Sequence, residues 1–386
     1  MATPVNIDDL RRRARRRLPR VVFDYVDGGA EDETTLRRNR EAFERISFRP
    51  RILAGGEIDT ATTLFGEKIA LPLVVAPTGL NGLLWPEGDV CLARAAERAN
   101  VGFALSTASN TSLEDIARHH SAPRWFQLYP WGGPDFSAHL LDRAAAAGYG
   151  AVIVTVDSLV AGNRERDRRH GFAHQIQWSP RIVFDGLLHP RWLASVWLRF
   201  GTPRLENLAP LLRPGATAAE MAEFTRSQRN PSFDWSDIRR IRDQWKGPLL
   251  VKGVLTAEDA AIAHETGVDG VVVSNHGGRQ LDGAISTIEA LPSIVDEVGD
   301  KMSVLVDSGF RRGTDVVKAL ALGARAVLIG RAPLYGLAAS GEAGSTQAFG
   351  ILGEEIRRTM RLLGCREIAE ISRDHLHFDK SKPVDL

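Results

Sequence analysis

Cysteine is nearly absent. Cys91 and Cys365 are the only two in 386 residues. Two are too few for a disulfide framework or a thiolate metal site, and such scarcity favours a reducing compartment. No spacing of His, Cys and Asp reads as a metal centre either. Long apolar runs are missing too. No stretch reaches the roughly 18 uninterrupted apolar residues of a transmembrane helix. The start does not read as a secretory leader, because Asn6, Asp8 and Asp9 lead directly into arginines. Net charge is close to zero, with 49 Lys+Arg against 48 Asp+Glu. That balance excludes a wholesale basic protein built for nucleic acid, and also an acidic disordered chain.

Glycine, by contrast, is plentiful. The 36 glycines follow no collagen period, so they read as tight turns and close backbone approaches to something bound. From residue 71, short apolar runs alternate with helix-like stretches. The runs are LPLVVAP (71–77), GFALST (102–107), RWFQLY (124–129), AVIVTVD (151–157), PLLVKG (248–253), GVVVSN (270–275), SVLVDSG (303–309) and RAVLIG (325–330). Several are rich in Val, Ile and Leu, as strands covered on both faces should be. Eight such units predict an α/β fold of the (β/α)8 TIM-barrel type. An N-terminal helical segment precedes the barrel and a long loop follows strand 4. One domain spans 1–386, with the barrel at about 71–345. A doubly wound sheet competes, but LPLVVAPTGLNG carries no GxGxxG after the first strand.

Two local basic zones interrupt the charge balance. RRRARRRLPR (11–20) holds seven arginines in ten residues and reads as a solvated helix face rather than a nucleic-acid arm or presequence. The second zone lies in the one interval out of register, the roughly 90 residues between strands four and five. There, 176–213 carries Trp178, Phe184, Trp192, Trp197 and Phe200 among five arginines. Aromatics interleaved with arginine fit a segment lying on a bilayer surface. They fit a lid or a subunit contact equally well.

In a barrel, chemistry sits at the C-terminal ends of the strands, and polar residues gather there. VSNHGGRQLDG (273–283) places His276, which can take a proton near neutral pH, beside glycines and Arg279, a planar fork suited to a carboxylate. VDSGFRRGTDVVKALALGARAVLIGR (306–331) supplies glycine turns with Arg311 and Arg331 where barrels commonly bind phosphate. Asp157, at the end of strand four, is placed to orient an imidazole, with Arg164 a second cation for an anionic substrate. Gln127 and Tyr129 alternate along one strand and so share a face. Lys252, at the end of strand five, is costly inside unless it meets an anion or an electron-rich ring system.

With these residues in hand, the chain resembles the FMN-dependent L-2-hydroxy-acid dehydrogenase/oxidase family over about residues 5–375. SNHGGRQLD (274–282) is the most specific stretch. PTGLNGLLWPEGD, LSTASNTSLEDIAR, DGLLHPRW and DSGFRRGTDVVKALALGARAVLIGRAPLYGLAA are most similar to members acting on aromatic 2-hydroxy acids such as mandelate.

The resemblance implies FMN as cofactor and a small 2-hydroxy acid as substrate, oxidised to the 2-oxo acid. It makes His276 the base, Asp157 its partner, and Arg164 and Arg279, helped by Tyr25, the holders of the substrate carboxylate. Tyr129 would bond the substrate hydroxyl. Lys252 would lie near flavin N1 and O2. Pro77, Thr78, Gly79, Ser106, Gln127, Thr155 and Ser274 would surround the isoalloxazine, while Asp307, Gly309, Arg311, Gly330 and Arg331 would hold ribityl and phosphate. Ser158-Leu159 departs from the Ala-Pro of many members, and Gly79 stands where many carry alanine. The resemblance also tips 176–213 towards the bilayer. It implies peripheral attachment at the cytoplasmic face of the inner membrane, electron delivery to quinone, and a homotetramer. A lactate-type enzyme or an oxygen-using oxidase of the same family stands as the alternative, and a barrel that kept the fold without the activity as a remote one.

Overall fold

The computed structural model describes residues 3–122, 124–172, 176–213 and 215–378; the expected extent of 1–386 includes residues outside these. All eight apolar runs form strands: β1 (Leu73–Val75), β2 (Gly102–Ser106), β3 (Arg124–Leu128), β4 (Ala151–Thr155), β5 (Leu249–Val254), β6 (Gly270–Val273), β7 (Ser303–Val306) and β8 (Ala326–Ile329). They pair in parallel and in sequence, and β8 closes on β1. Alternation sorts their side chains. Val74, Ala104, Ile153, Leu250, Val272, Leu305 and Leu328 pack into one interior cluster, while Leu73, Val75, Val152, Val251 and Val306 belong to the larger layer shared with the helices. Burial on both faces is why the strands read as unbroken apolar runs. A hairpin, Thr62–Leu64 with Glu67–Ile69, adds Leu64, Phe65 and Ile69 to the interior cluster.

Helices occupy the stretches between the strands, among them Gly88–Ala99, Thr287–Val298 and Gly313–Ala321. Side chains of Ser112, Thr256 and Ser286 cap three of them by accepting a backbone N–H from the first turn. The last helix, Arg331–Leu363, extends past the expected end of the barrel at 345, with a break at Ser340–Gly341.

The N-terminal arginines depart from expectation. They do lie on a helix, Ile7–Arg17, but Ile7, Leu10 and Ala14 bury one face of it, and two arginines are tethers rather than solvated charges. Arg11 forks onto the buried Asp27 at 2.6 and 2.8 Å. Arg17 donates to Leu84 O, Ala338 O and Ser195 Oγ. Ser195 belongs to the long interval, so this helix joins that interval to the barrel.

The interval itself is built of short helices. Pro180–Leu188, Pro190–Trp192, a π turn at Leu193–Trp197 and Leu198–Phe200 come first. Trp192 and Val196 are buried, and the Trp192 indole donates to Leu83 O at 2.7 Å. On the outside, Trp178, Val183, Phe184, Leu187, Leu188, Leu198 and Phe200 are exposed. Among the described residues, no helix is long and apolar enough to cross a membrane.

Candidate active site

Four strands bring the central groups together. Asp157 follows β4, Lys252 lies in β5, Ser274 to His276 follow β6 and Asp307 follows β7. His276 Nδ1 lies 2.7 Å from Asp157 Oδ1. A carboxylate there accepts, so Nδ1 carries the hydrogen and Nε2 keeps its lone pair. The backbone around the imidazole is strained: His276 has φ +57° and Ser308 φ +75°, a region that side-chain-bearing residues rarely enter. Short bonds hold it, His276 N to Ser274 Oγ at 3.1 Å and Gly277 N to Ser308 Oγ at 3.0 Å. Gly278 is required by contact as well as by φ, because a Cβ there would fall 2.6 Å from Leu36 N.

Lys252 is not at a strand end, as the sequence pattern suggests. β5 continues to Val254 and bulges between Lys252 and Val254. Gly253 has φ +114°, and a Cβ there would meet Asp157 Cβ at 2.7 Å, so the bulge makes room for Asp157. Lys252 Nζ sits 3.3 Å from Asp307 Oδ2 and 3.9 Å from Asp157 Oδ2, and donates to Ser274 Oγ at 2.8 Å. Burial alone would depress this ammonium, but Asp307 and Asp157 outweigh it and its pKa is raised. Burial likewise raises the Asp157 carboxyl, yet His276 and Lys252 bring it below the usual carboxylate range. Burial lowers His276, with Asp157 opposing. At neutral pH the site therefore holds a neutral imidazole backed by a carboxylate and an ammonium.

The opposite group is cationic. Arg279 Nη1 donates to Tyr25 O at 2.7 Å and Gly28 O at 2.9 Å, and its guanidinium lies 5.2 Å from the Tyr25 ring centre. Arg164 is 3.7 Å from the buried Asp167. The Tyr25 hydroxyl donates to Gly79 O at 3.2 Å. Burial pushes the Tyr129 hydroxyl up to about 12, so it stays protonated.

Tyr25, Tyr129, Arg164, Lys252, His276 and Arg279 line one cavity of about 630 Å³, together with Pro77, Thr78, Gly79, Asp307, Gly309, Arg311, Gly330 and Arg331. Ser106, Gln127, Thr155, Asp157 and Ser274 are not among the lining residues, but Ser106, Asp157 and Ser274 bond to lining residues from behind. Ser106 Oγ accepts from Ala108 N and donates to Gln127 Oε1, and Ser274 holds Lys252. Arg331 donates to Val26 O, Gly277 O and Gly28 O, which ties β8 to the N-terminal segment.

Sequence reasoning missed several members. Gln280 donates to Asp157 O and Val160 O and accepts from Gly162 N, pinning the loop after β4; its place beside Arg279 in HGGRQLD was the available signal. Asp167, three residues after Arg164, balances both arginines. Ala108, Trp131, Leu205 and Met221 form an apolar wall. They come from separate intervals, and no local pattern joins them.

Over residues 14–378 the sequence matches the family described as FMN-dependent dehydrogenase. The chain belongs to that family. Among its relatives, the (S)-mandelate dehydrogenase of Pseudomonas putida is 44% identical over 98% of this chain and 96% of that protein. An L-lactate dehydrogenase of Caulobacter vibrioides is 46% identical over 94% of this chain and 95% of the relative. The crystal structure of the monotopic membrane protein (S)-mandelate dehydrogenase superimposes with a TM-score of 0.94 at 44% identity, covering 98% of this chain and all of that one. Identity alone does not separate the mandelate from the lactate relatives.

The site fits an FMN. Among the described residues, Gln127 Nε2 and Thr155 Oγ1 are buried and lack a hydrogen-bond partner, a costly state that the polar edge of a flavin would relieve.

Proposed function

We propose that the protein oxidises an aromatic (S)-2-hydroxy acid such as (S)-mandelate to the 2-oxo acid. The observation that carries this reading is that His276, backed by Asp157, lines one cavity together with Arg164, Arg279, Lys252 and an apolar wall. Bound FMN would supply a two-electron acceptor, and Thr78, Gln127, Thr155, Lys252, Asp307 and Arg311 with their neighbours would hold it. The chain's own residues do the rest. Arg164, Arg279 and Tyr25 grip the substrate carboxylate. Tyr129, still protonated, bonds the 2-hydroxyl. His276 Nε2 takes a proton from the substrate, and Asp157 stabilises the imidazolium that results. Lys252 keeps positive charge where electrons arrive. Ala108, Trp131, Leu205 and Met221 receive the ring, which favours an aromatic substrate over lactate.

We extend the proposal to peripheral attachment at the cytoplasmic face of the inner membrane, supported by the exposed apolar surface of 178–200 and by the structural relative named as monotopic. Quinone as electron acceptor and a homotetramer complete it, as the family resemblance implies. Holding the protein anaerobically with (S)-mandelate, L-lactate or glycolate and following flavin absorbance tests the central reading. Bleaching fastest with mandelate supports it. A colourless protein that does not take up FMN overturns it, and fastest bleaching by L-lactate replaces it with the lactate reading. Quinone reduction in vesicles and the mass in solution check the extensions.

A further inference from the structure

Beside the apolar wall stands a cation that the proposed reaction does not use. Arg229 lines the same cavity as His276 and Arg164. Its backbone is fixed beside that wall, because the preceding residue, Gln228, accepts Gly132 N through its carbonyl. Trp131, next to Gly132, stacks on Tyr129 with ring centres 4.8 Å apart and planes 7° from parallel. Arg229 is therefore held close to the pocket for the substrate ring.

Its guanidinium is under-used. Nη1 donates to Ser158 O at 2.8 Å, while Nε is buried and has no acceptor among the described residues. No carboxylate is paired with it among the described residues. The other cations of the cavity are provided for. Arg226 pairs with Glu223, Arg164 faces Asp167, and Arg279 and Arg331 are bonded to backbone carbonyls. Burying a cation beside apolar groups is costly unless an acceptor arrives with a ligand. Unsubstituted mandelate would bring a bare ring edge to that guanidinium.

We propose that Arg229 is a specificity-determining residue that selects aromatic 2-hydroxy acids whose ring carries an oxygen acceptor, a hydroxyl or a carboxylate, at the end remote from the 2-hydroxy-acid group. This rests on the function proposed above and names the substrate class of the same site. Arg229 takes no part in proton removal. It replaces the water lost by the distal oxygen with charge-assisted hydrogen bonds.

The test compares kcat/KM for flavin reduction by (S)-mandelate and its 4-hydroxy, 4-carboxy and 4-methyl derivatives, in the FMN-loaded wild type, Arg229→Met and Arg229→Lys. FMN absorbance serves as the folding control. The wild type should favour the two oxygen-bearing acids over the 4-methyl acid by about 10- to 100-fold, mainly through KM, as one or two charge-assisted bonds allow. Arg229→Met should collapse or invert that ratio, and Arg229→Lys should restore part of it. A wild type that bleaches without preference overturns the proposal. So does a ratio unchanged in Arg229→Met, which would leave Arg229 as a tether of Ser158. If none of the four acids bleaches the flavin, the proposed function falls as well, so the two failures are distinct.

Discussion

At the mouth of the barrel, charged side chains are withdrawn from water: Lys252 and Asp307 are 4% and 7% exposed. On the segment 178–200 the opposite holds, with Phe184, Leu187, Leu188 and Leu198 each 60–73% exposed. Both arrangements work against ordinary folding thermodynamics. In the first, the cost is offset within the chain, because each buried charge meets another or a hydrogen-bonding partner. In the second, nothing in the described residues covers the apolar groups, so their reason lies outside the folded chain. A strained, mutually satisfied cluster is a signature of chemistry, and an exposed apolar face on an otherwise anchored segment is a signature of contact.

The two regions should therefore fail independently. The largest effect is expected from His276→Asn, which should slow flavin reduction by about 10⁴-fold, with FMN and vesicle binding retained. Residual reduction within tenfold of wild type would remove His276 as the base. Asp157→Asn comes next, at about 10²- to 10³-fold, because the imidazolium loses its counter-charge. For the other region, replacing Phe184, Leu187 and Leu188 with Ser should weaken sedimentation with anionic vesicles by about 10²-fold. Each such side chain contributes roughly 1.5–3 kcal/mol when fully buried. Flavin reduction should stay within about twofold, and equal loss of both would show that the regions are coupled. Substitution is the sharper tool than deletion, since Trp192 and Val196 in the same segment are part of the core.

The smallest effect is on pH. Burial lowers His276 below 6.5, its ordinary value, so the imidazole stays neutral as pH falls through 6.5 and protonates only lower. The acid limb of kcat/KM should have its midpoint below 6.5, and Asp157→Asn should move that midpoint lower still while reducing the plateau. A midpoint above 6.5 would mean that Asp157, not burial, dominates.

Much of the fold was legible because barrel strands are buried on both faces and each run ends in a turn. The HGGR stretch was legible because left-handed backbone leaves a glycine signature. Lys252 was misplaced since a bulge at Gly253 has no signal of its own within PLLVKG. The wall of Ala108, Trp131, Leu205 and Met221, and Arg229 beside it, stayed hidden because tertiary packing alone assembles them. The basic run 11–20 was half understood. Its helix follows from spacing, but the partners of Arg11 and Arg17 are remote in sequence.

Those remote partners set a timetable. Ala338, which accepts from Arg17, is 321 residues further along the chain, and helix Ile7–Arg17 packs on the final long helix Arg331–Leu363. A ribosome adding roughly 5–20 residues per second needs some tens of seconds to cover that distance. Throughout synthesis, a basic amphipathic helix waits without its docking surface. Helix Ile7–Arg17 finds its place long after it is made, and docking it ties Ser195, with the segment around it, to the barrel.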